Sequence, residues 1–91
     1  MPDAILNNEA EQRYELWVGD ALALAAYKLE GDVIRFTHTE VPKALEGQGI
    51  GSRLIGNALD DVRRRGLKVV PLCPFVRRYI ERHPETQDLL A

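Results

Sequence analysis

The chain has 91 residues, 45% of them hydrophobic and 29% charged, with a formal net charge of −2. That length gives one domain with a core just large enough to fold alone, and the apolar content excludes an intrinsically disordered chain. The slight acidity gives no general attraction to nucleic acid or to an anionic membrane, and no apolar run is long enough to span a bilayer.

Met1-Pro2-Asp3-Ala4 does not open a signal peptide, and the single cysteine, Cys73, has no internal disulfide partner. Both features suit a reducing cytoplasm. Residues 1–10 are polar and aperiodic, which predicts a loose N-terminal arm ahead of a single domain over 11–91. Arg13 to Val18 alternates, with Tyr14, Leu16 and Val18 on one face, and predicts a strand. Gly19-Asp20 is a two-residue hairpin turn, and the return strand is Ala21 to Leu29. Its alanine content fits a helix on propensity, but turn residues on both sides, Gly19-Asp20 and Glu30-Gly31-Asp32, favour a strand.

Val33 to Val41, rich in β-branched and aromatic residues, predicts a third strand. Strict alternation puts Ile34, Phe36, His38 and Glu40 on one face, with Arg35 and Thr37 on the other. Pro42 ends it. A helix over about 49–65 then buries Ile50, Leu54, Ile55, Ala58, Leu59 and Val62 and stops at Gly66. Leu67 to Leu72 is a short apolar strand, parallel to the third because a helix separates the two. Cys73-Pro74 opens a second helix with Phe75, Val76, Tyr79 and Ile80 on its apolar side. Pro84 closes it, and 85–90 forms at most one more turn. The expected class is α/β: a three-stranded antiparallel meander, then helix, parallel strand and helix in a mixed sheet.

The stretch with most chemistry is Glu46-Gly47-Gln48-Gly49-Ile50-Gly51-Ser52, which runs straight into the first helix. Glycines at alternate positions bare the backbone N–H groups and permit φ > 0. The helix adds its unsatisfied N–H groups and the positive end of its dipole, so the turn is a cradle for an anion such as phosphate. It lacks the lysine of a nucleotide-hydrolysing loop, and its spacing is not that of a dinucleotide fold. The alternative is a tight strand-to-helix turn with no ligand.

Cys73, at a strand end and a helix start, is either a reactive thiol or a small core residue. His38 has an imidazole suited to take a proton from an ammonium, with Glu40 beside it as orienter or base; the alternative is a partly buried structural histidine. Tyr79 and His83 share a helix face, with packing and helix capping as their plainer roles. Two histidines and one cysteine so scattered make no metal site. Arg63-Arg64-Arg65 reads as charge at a helix end. Arg77 and Arg78 begin the helix after Cys73 and could contact phosphate or an acidic acceptor from there.

Three blocks in order, Phe36-Thr37-His38-Thr39-Glu40-Val41-Pro42, Glu46-Gly47-Gln48-Gly49-Ile50-Gly51 and Pro71-Leu72-Cys73-Pro74-Phe75-Val76, resemble the minimal branch of the GNAT superfamily of N-acyltransferases. Tyr79 to Glu85 fits the same branch, so the likeness spans about 11–90. The resemblance implies acetyl-CoA or CoA as cofactor, its pyrophosphate held by the amides of Gln48, Gly49, Ile50, Gly51 and Ser52. Its pantetheine arm would run along the third strand between Val41 and Pro74, with a backbone N–H near Val41 meeting the thioester carbonyl.

Acetyl transfer to an amine, small or protein-borne, would follow. His38 or Glu40 would serve as base and Tyr79 as proton donor, with Cys73 as nucleophile, proton-transfer group or channel wall. Glu46 departs from the Arg or Gln usual there, and the last strands of longer members, which help form the acceptor site, are missing. An open acceptor site, or one completed by another chain, follows from that difference. The competing classes are an acyl-CoA-binding module without turnover and a protein-interaction domain with an empty turn, either as a monomer or a weak homodimer.

Overall fold

A computed structural model describes residues 5–91. It forms a mixed five-stranded sheet in the order β1-β2-β3-β4-β5, with strands Ile5–Asn8 (β1), Arg13–Val18 (β2), Ala21–Glu30 (β3), Val33–Glu40 (β4) and Lys68–Pro71 (β5). Neighbours from β1 to β4 are antiparallel, and β5 lies parallel to β4. Helices Ile50–Arg64 (α1) and Pro74–Arg82 (α2) complete the fold, with 3₁₀ turns at Lys43–Leu45 and Pro84–Leu89.

The mixed sheet and the order of elements follow the sequence reading, with one strand added. Ile5–Asn8 falls in the stretch expected to be a loose arm, yet it pairs with β2 from Ile5 opposite Leu16 to Asn8 opposite Arg13. Four residues are too few for periodicity to reveal. Residues 1–4, also assigned to that arm, lie outside the described residues.

Both helices cover the same face of the sheet, since Phe75 and Tyr79 of α2 meet Gly51 and Gly56 of α1. Under α1 lie Leu16, Ala23, Ala25, Ile34 and Phe36, all fully buried. The small alanines of β3 let α1 seat closely across the sheet, which is why a strand carries residues that favour helices. Each large apolar side chain buried there stabilises the fold by about 1.5–3 kcal/mol. Gly66, at φ +69°, ends α1 as expected and turns the chain back into β5. The outer edge of β5 is closed by the C-terminal residues: Leu90 bridges to Val69, and the Ala91 N–H donates to the Val69 carbonyl at 2.9 Å.

Candidate active site

The site begins with an irregularity in β4. Tyr27 of β3 faces Phe36, but Ala26 faces His38, so Thr37 has no partner of its own. This bulge shifts the alternation by one residue. Thr39 thereby turns toward the helices, while His38 and Glu40 turn to the open face and are exposed. The expectation that His38 shares the buried face of Ile34 and Phe36 is thus corrected: its side chain is 60% exposed, and its Nε2 lies 3.0 Å from Glu40 Oε2. The predicted His38–Glu40 pairing does occur, on the opposite face.

A second irregularity follows. The ladder between β4 and β5 runs only from Val33 with Lys68 to Phe36 with Pro71, and the Cys73 N–H donates to the Phe36 carbonyl at 2.9 Å. There the chain turns away into α2, while β4 continues to Glu40. The end of β4 therefore pairs on one side only and presents a free backbone edge toward Cys73 and the start of α2.

Cys73, 5% exposed, is the N-cap residue of α2 but makes no side-chain cap bond. Its Sγ instead lies 3.3 Å from Thr39 Oγ1. Strict alternation along the strand points Thr39 outward, and only the bulge brings it to the thiol.

The glycine turn lies beyond the end of β4. Gly47 and Gly49 have φ of +82° and +71°, in the left-handed region that glycine enters freely, and no atom stands within 4 Å of where a Cβ would project. Gly49 is the N-cap of α1, with no side chain capping the helix and no acidic residue in its first turn. Arg53 is the first helical residue whose N–H reaches an earlier carbonyl, that of Gly49 at 3.0 Å. The N–H groups ahead of it have no partner within the helix.

A groove of about 240 Å³ runs over this turn, lined by Val41, Glu46, Gly49, Ile50, Ser52 and Phe75 among others. The bared amides, the open space at two glycines and the uncapped dipole fit an anion such as pyrophosphate. Glu46 lines the same groove, so its carboxylate is the one repulsive element. Gln48 is exposed, and its side chain is occupied in donating from Nε2 to the Ala44 carbonyl. Pro74, also exposed, opens α2 across from the free edge. Gly51 is glycine for a different reason: a Cβ there would lie 2.6 Å from the Phe75 ring, which covers the first turn of α1. Phe75 was expected on the apolar side of α2, yet it remains 41% exposed above the loop.

Tyr79 is not brought to Cys73. Its hydroxyl packs against Gly56, where a Cβ would come within 2.7 Å, and its ring stacks on His83 at 3.8 Å. His83 Nδ1 donates to the Tyr79 carbonyl at 2.7 Å, the helix-end role expected for it. Burial, then Glu85 and Asp60, raise the Tyr79 pKa, so the phenol stays protonated. Tyr79 lines two grooves on the α1–α2 side; both share Ser52 with the loop groove and one shares Phe75 as well, but neither reaches Val41. Among the described residues, no three His, Cys, Asp or Glu side chains gather as a metal site.

A strand opened from its parallel neighbour, a glycine turn at its end and a helix starting in that turn define an N-acyltransferase type of fold. The family described as GCN5-related N-acetyl-transferase matches residues 13–89, and the chain belongs to that family. Its relatives include the proteins called NATD1 of chicken and mouse, each 35% identical over 68 residues that make up 74% of this chain and 62% of theirs. Human NATD1 is also 35% identical, over 60% of its length. The chain thus spans about three fifths of the curated relatives it matches. A GCN5-like protein from Staphylococcus aureus, solved by NMR in solution, superposes with a TM-score of 0.75 at 26% identity, covering 97% of this chain and 87% of that one. Members of the family generally use acetyl-CoA as acyl donor to an acceptor.

Proposed function

We propose that this chain is an acetyl-CoA-dependent N-acetyltransferase. The observation that carries the reading is the free edge of β4, which leads from Cys73 to a turn of bared amides at the uncapped start of α1. An extended amide-bearing arm suits the edge, and a pyrophosphate suits the turn. The amides of 48–52 would hold the phosphates, and the Val41 N–H would face the thioester oxygen as charge develops on it.

Acetyl-CoA supplies an activated acyl group. The acceptor nitrogen bonds to the acyl carbon, the carbon–sulfur bond breaks, and the ammonium proton passes to the His38–Glu40 pair and then to water. The thiol of Cys73, held by Thr39, gives its proton to the departing sulfur and is restored by the second proton that the nitrogen sheds as the amide forms. Tyr79 is the less suited donor, because its hydroxyl stands against Gly56. Alignment of the two reactants would supply most of the acceleration. A cytoplasmic location suits the reading, because acetyl-CoA is made and used there.

Calorimetric titration of the protein and of Gly49→Glu with acetyl-CoA, CoA and dephospho-CoA tests the cradle. Binding to the native protein and none to the variant is expected; no heat and no thermal stabilisation with any ligand would sink the reading. Cys73→Ala separates the two roles of the thiol. Transfer persisting at a reduced rate fits proton return, and complete loss with intact acetyl-CoA binding fits an acyl-cysteine route.

A further inference from the structure

β3 is apolar on both sides. Ala23, Ala25 and Tyr27 face the helices, while Leu22, Leu24 and Ala26 face the other way, where no element covers them among the described residues. A strand that is apolar on both faces is the pattern of one covered on both faces. Around these residues stand Trp17, opposite Leu22, and Leu6, opposite Glu15; the two are 44% and 52% exposed.

Glu15, in the middle of the patch, is only 5% exposed, and its carboxylate already accepts from Arg13 Nε, Asn8 Nδ2 and Trp17 Nε1. The bulge places the exposed Glu40 directly opposite Leu24, with His38 opposite Ala26. The patch thus runs without a break into the His38–Glu40 pair, and Glu40 is its one carboxylate open to an incoming cation.

We propose that this open face is the acceptor surface, and that its occupant is an extended polypeptide whose amine reaches Glu40 and His38 while its apolar flanks lie on Leu24, Leu22 and Trp17. The proposal rests on the acetyltransferase reading, which makes the occupant an amine. Size favours a polypeptide in passage over a second copy of this chain. Four strands of this length present roughly 400 Å², whereas a stable pair covers about 800 Å² on each partner. A small polyamine would use Glu40 but leave the leucines and Trp17 bare.

Trp17 is the sole tryptophan, so its emission reports this face without acetyl-CoA. The probes are a nonapeptide pool with one central lysine and randomised flanks, and spermidine as a small amine. Expected results are a blue-shifted Trp17 emission with the pool, acetylated peptides enriched in apolar flanks, and at least tenfold weaker binding by Leu24→Glu with acetyl-CoA binding unchanged. Leu22→Lys repeats the test should Leu24→Glu fold poorly.

Emission unmoved by the pool, equal shifts in the variants, or acetylation of spermidine alone would overturn the proposal. So would a shift that follows protein concentration together with a sedimenting dimer. Failure to bind acetyl-CoA while the pool still shifts Trp17 would overturn the transferase reading and, with it, the occupant's role as acceptor. Acetyl-CoA binding with a silent Trp17 would overturn only the docking face.

Discussion

Gly51 and Gly49 sit two residues apart and are glycines for unrelated reasons. At Gly49 the backbone is left-handed, so a side chain is strained whatever the space around it, at about 1 kcal/mol or more. At Gly51 the backbone is helical, and the obstacle is the Phe75 ring 2.6 Å from a Cβ. That ring is the far end of a half-exposed side chain and can swing aside. Gly51→Ala is therefore expected to fold, with Phe75 displaced from the first turn of α1. Gly49→Ala is expected to lower Tm by about 4–8 °C. Adding Phe75→Ala should remove the cost of Gly51→Ala but leave that of Gly49→Ala unchanged. Thermal melts of the singles and doubles check this, and rescue of both glycine variants would refute the distinction.

At the scale of elements, β2 is joined to α1 by a buried hydroxyl. Tyr14, 1% exposed, donates to Asp61 Oδ2 at 2.7 Å, and Asp61 Oδ1 accepts from Arg64 at the same distance. Burial first, then the hydrogen bond and charge of Asp61, push the Tyr14 pKa well above the ordinary phenol value. Tyr14→Phe should cost about 1.5–3 kcal/mol, because it removes a bond to a charged group. The sign of the pH dependence follows from the raised pKa. Tyr14's contribution is fully present below the unfolded phenol value near 10.0 and is lost as pH rises toward the higher folded value. Urea unfolding of native protein and Tyr14→Phe should show a constant gap from about pH 7 to 9 that narrows above about pH 10. A gap that widens there would contradict the assignment.

For the whole molecule, the C-terminal segment is tied down from outside the core. Arg63 grips Asp88 through two bonds of 2.8 and 2.9 Å and also donates to the Glu85 carbonyl, while Lys68 Nζ donates to the Asp88 carbonyl. The guanidinium holds the Asp88 carboxyl below the usual range, but the pair is solvent-exposed and adds little to global stability. Its effect is local, because the segment it anchors closes the outer edge of β5 through Ala91 and Val69. In Arg63→Ala the Ala91 amide should exchange roughly ten times faster, while core amides such as that of Leu54 keep their protection. Unchanged exchange at Ala91 would show that the segment holds itself.

Most of the layered fold was legible in the sequence because it rests on local signals. Gly19-Asp20 and Gly31 make the turns, the spacing of Ile50 to Val62 makes an amphipathic helix, Gly66 stops it, and one intervening helix makes β5 parallel to β4. The glycine turn and its place at a helix start were legible for the same reason. The four-residue strand β1 was not, since it exists only by pairing with β2. Nor were the two features that shape the site. Nothing in Phe36-Thr37-His38-Thr39 marks a bulge; it arises from how β4 must register against β3, and it decides that His38 and Glu40 face outward and Thr39 meets Cys73. The parting of β4 from β5 likewise depends on where α2 must turn to cover the sheet. Local chemistry along the chain dictates every element but β1, and with them the turn of bared amides at the start of α1. Which side chains face one another depends on long-range pairing, because a one-residue change of register in a strand reverses every side chain beyond it.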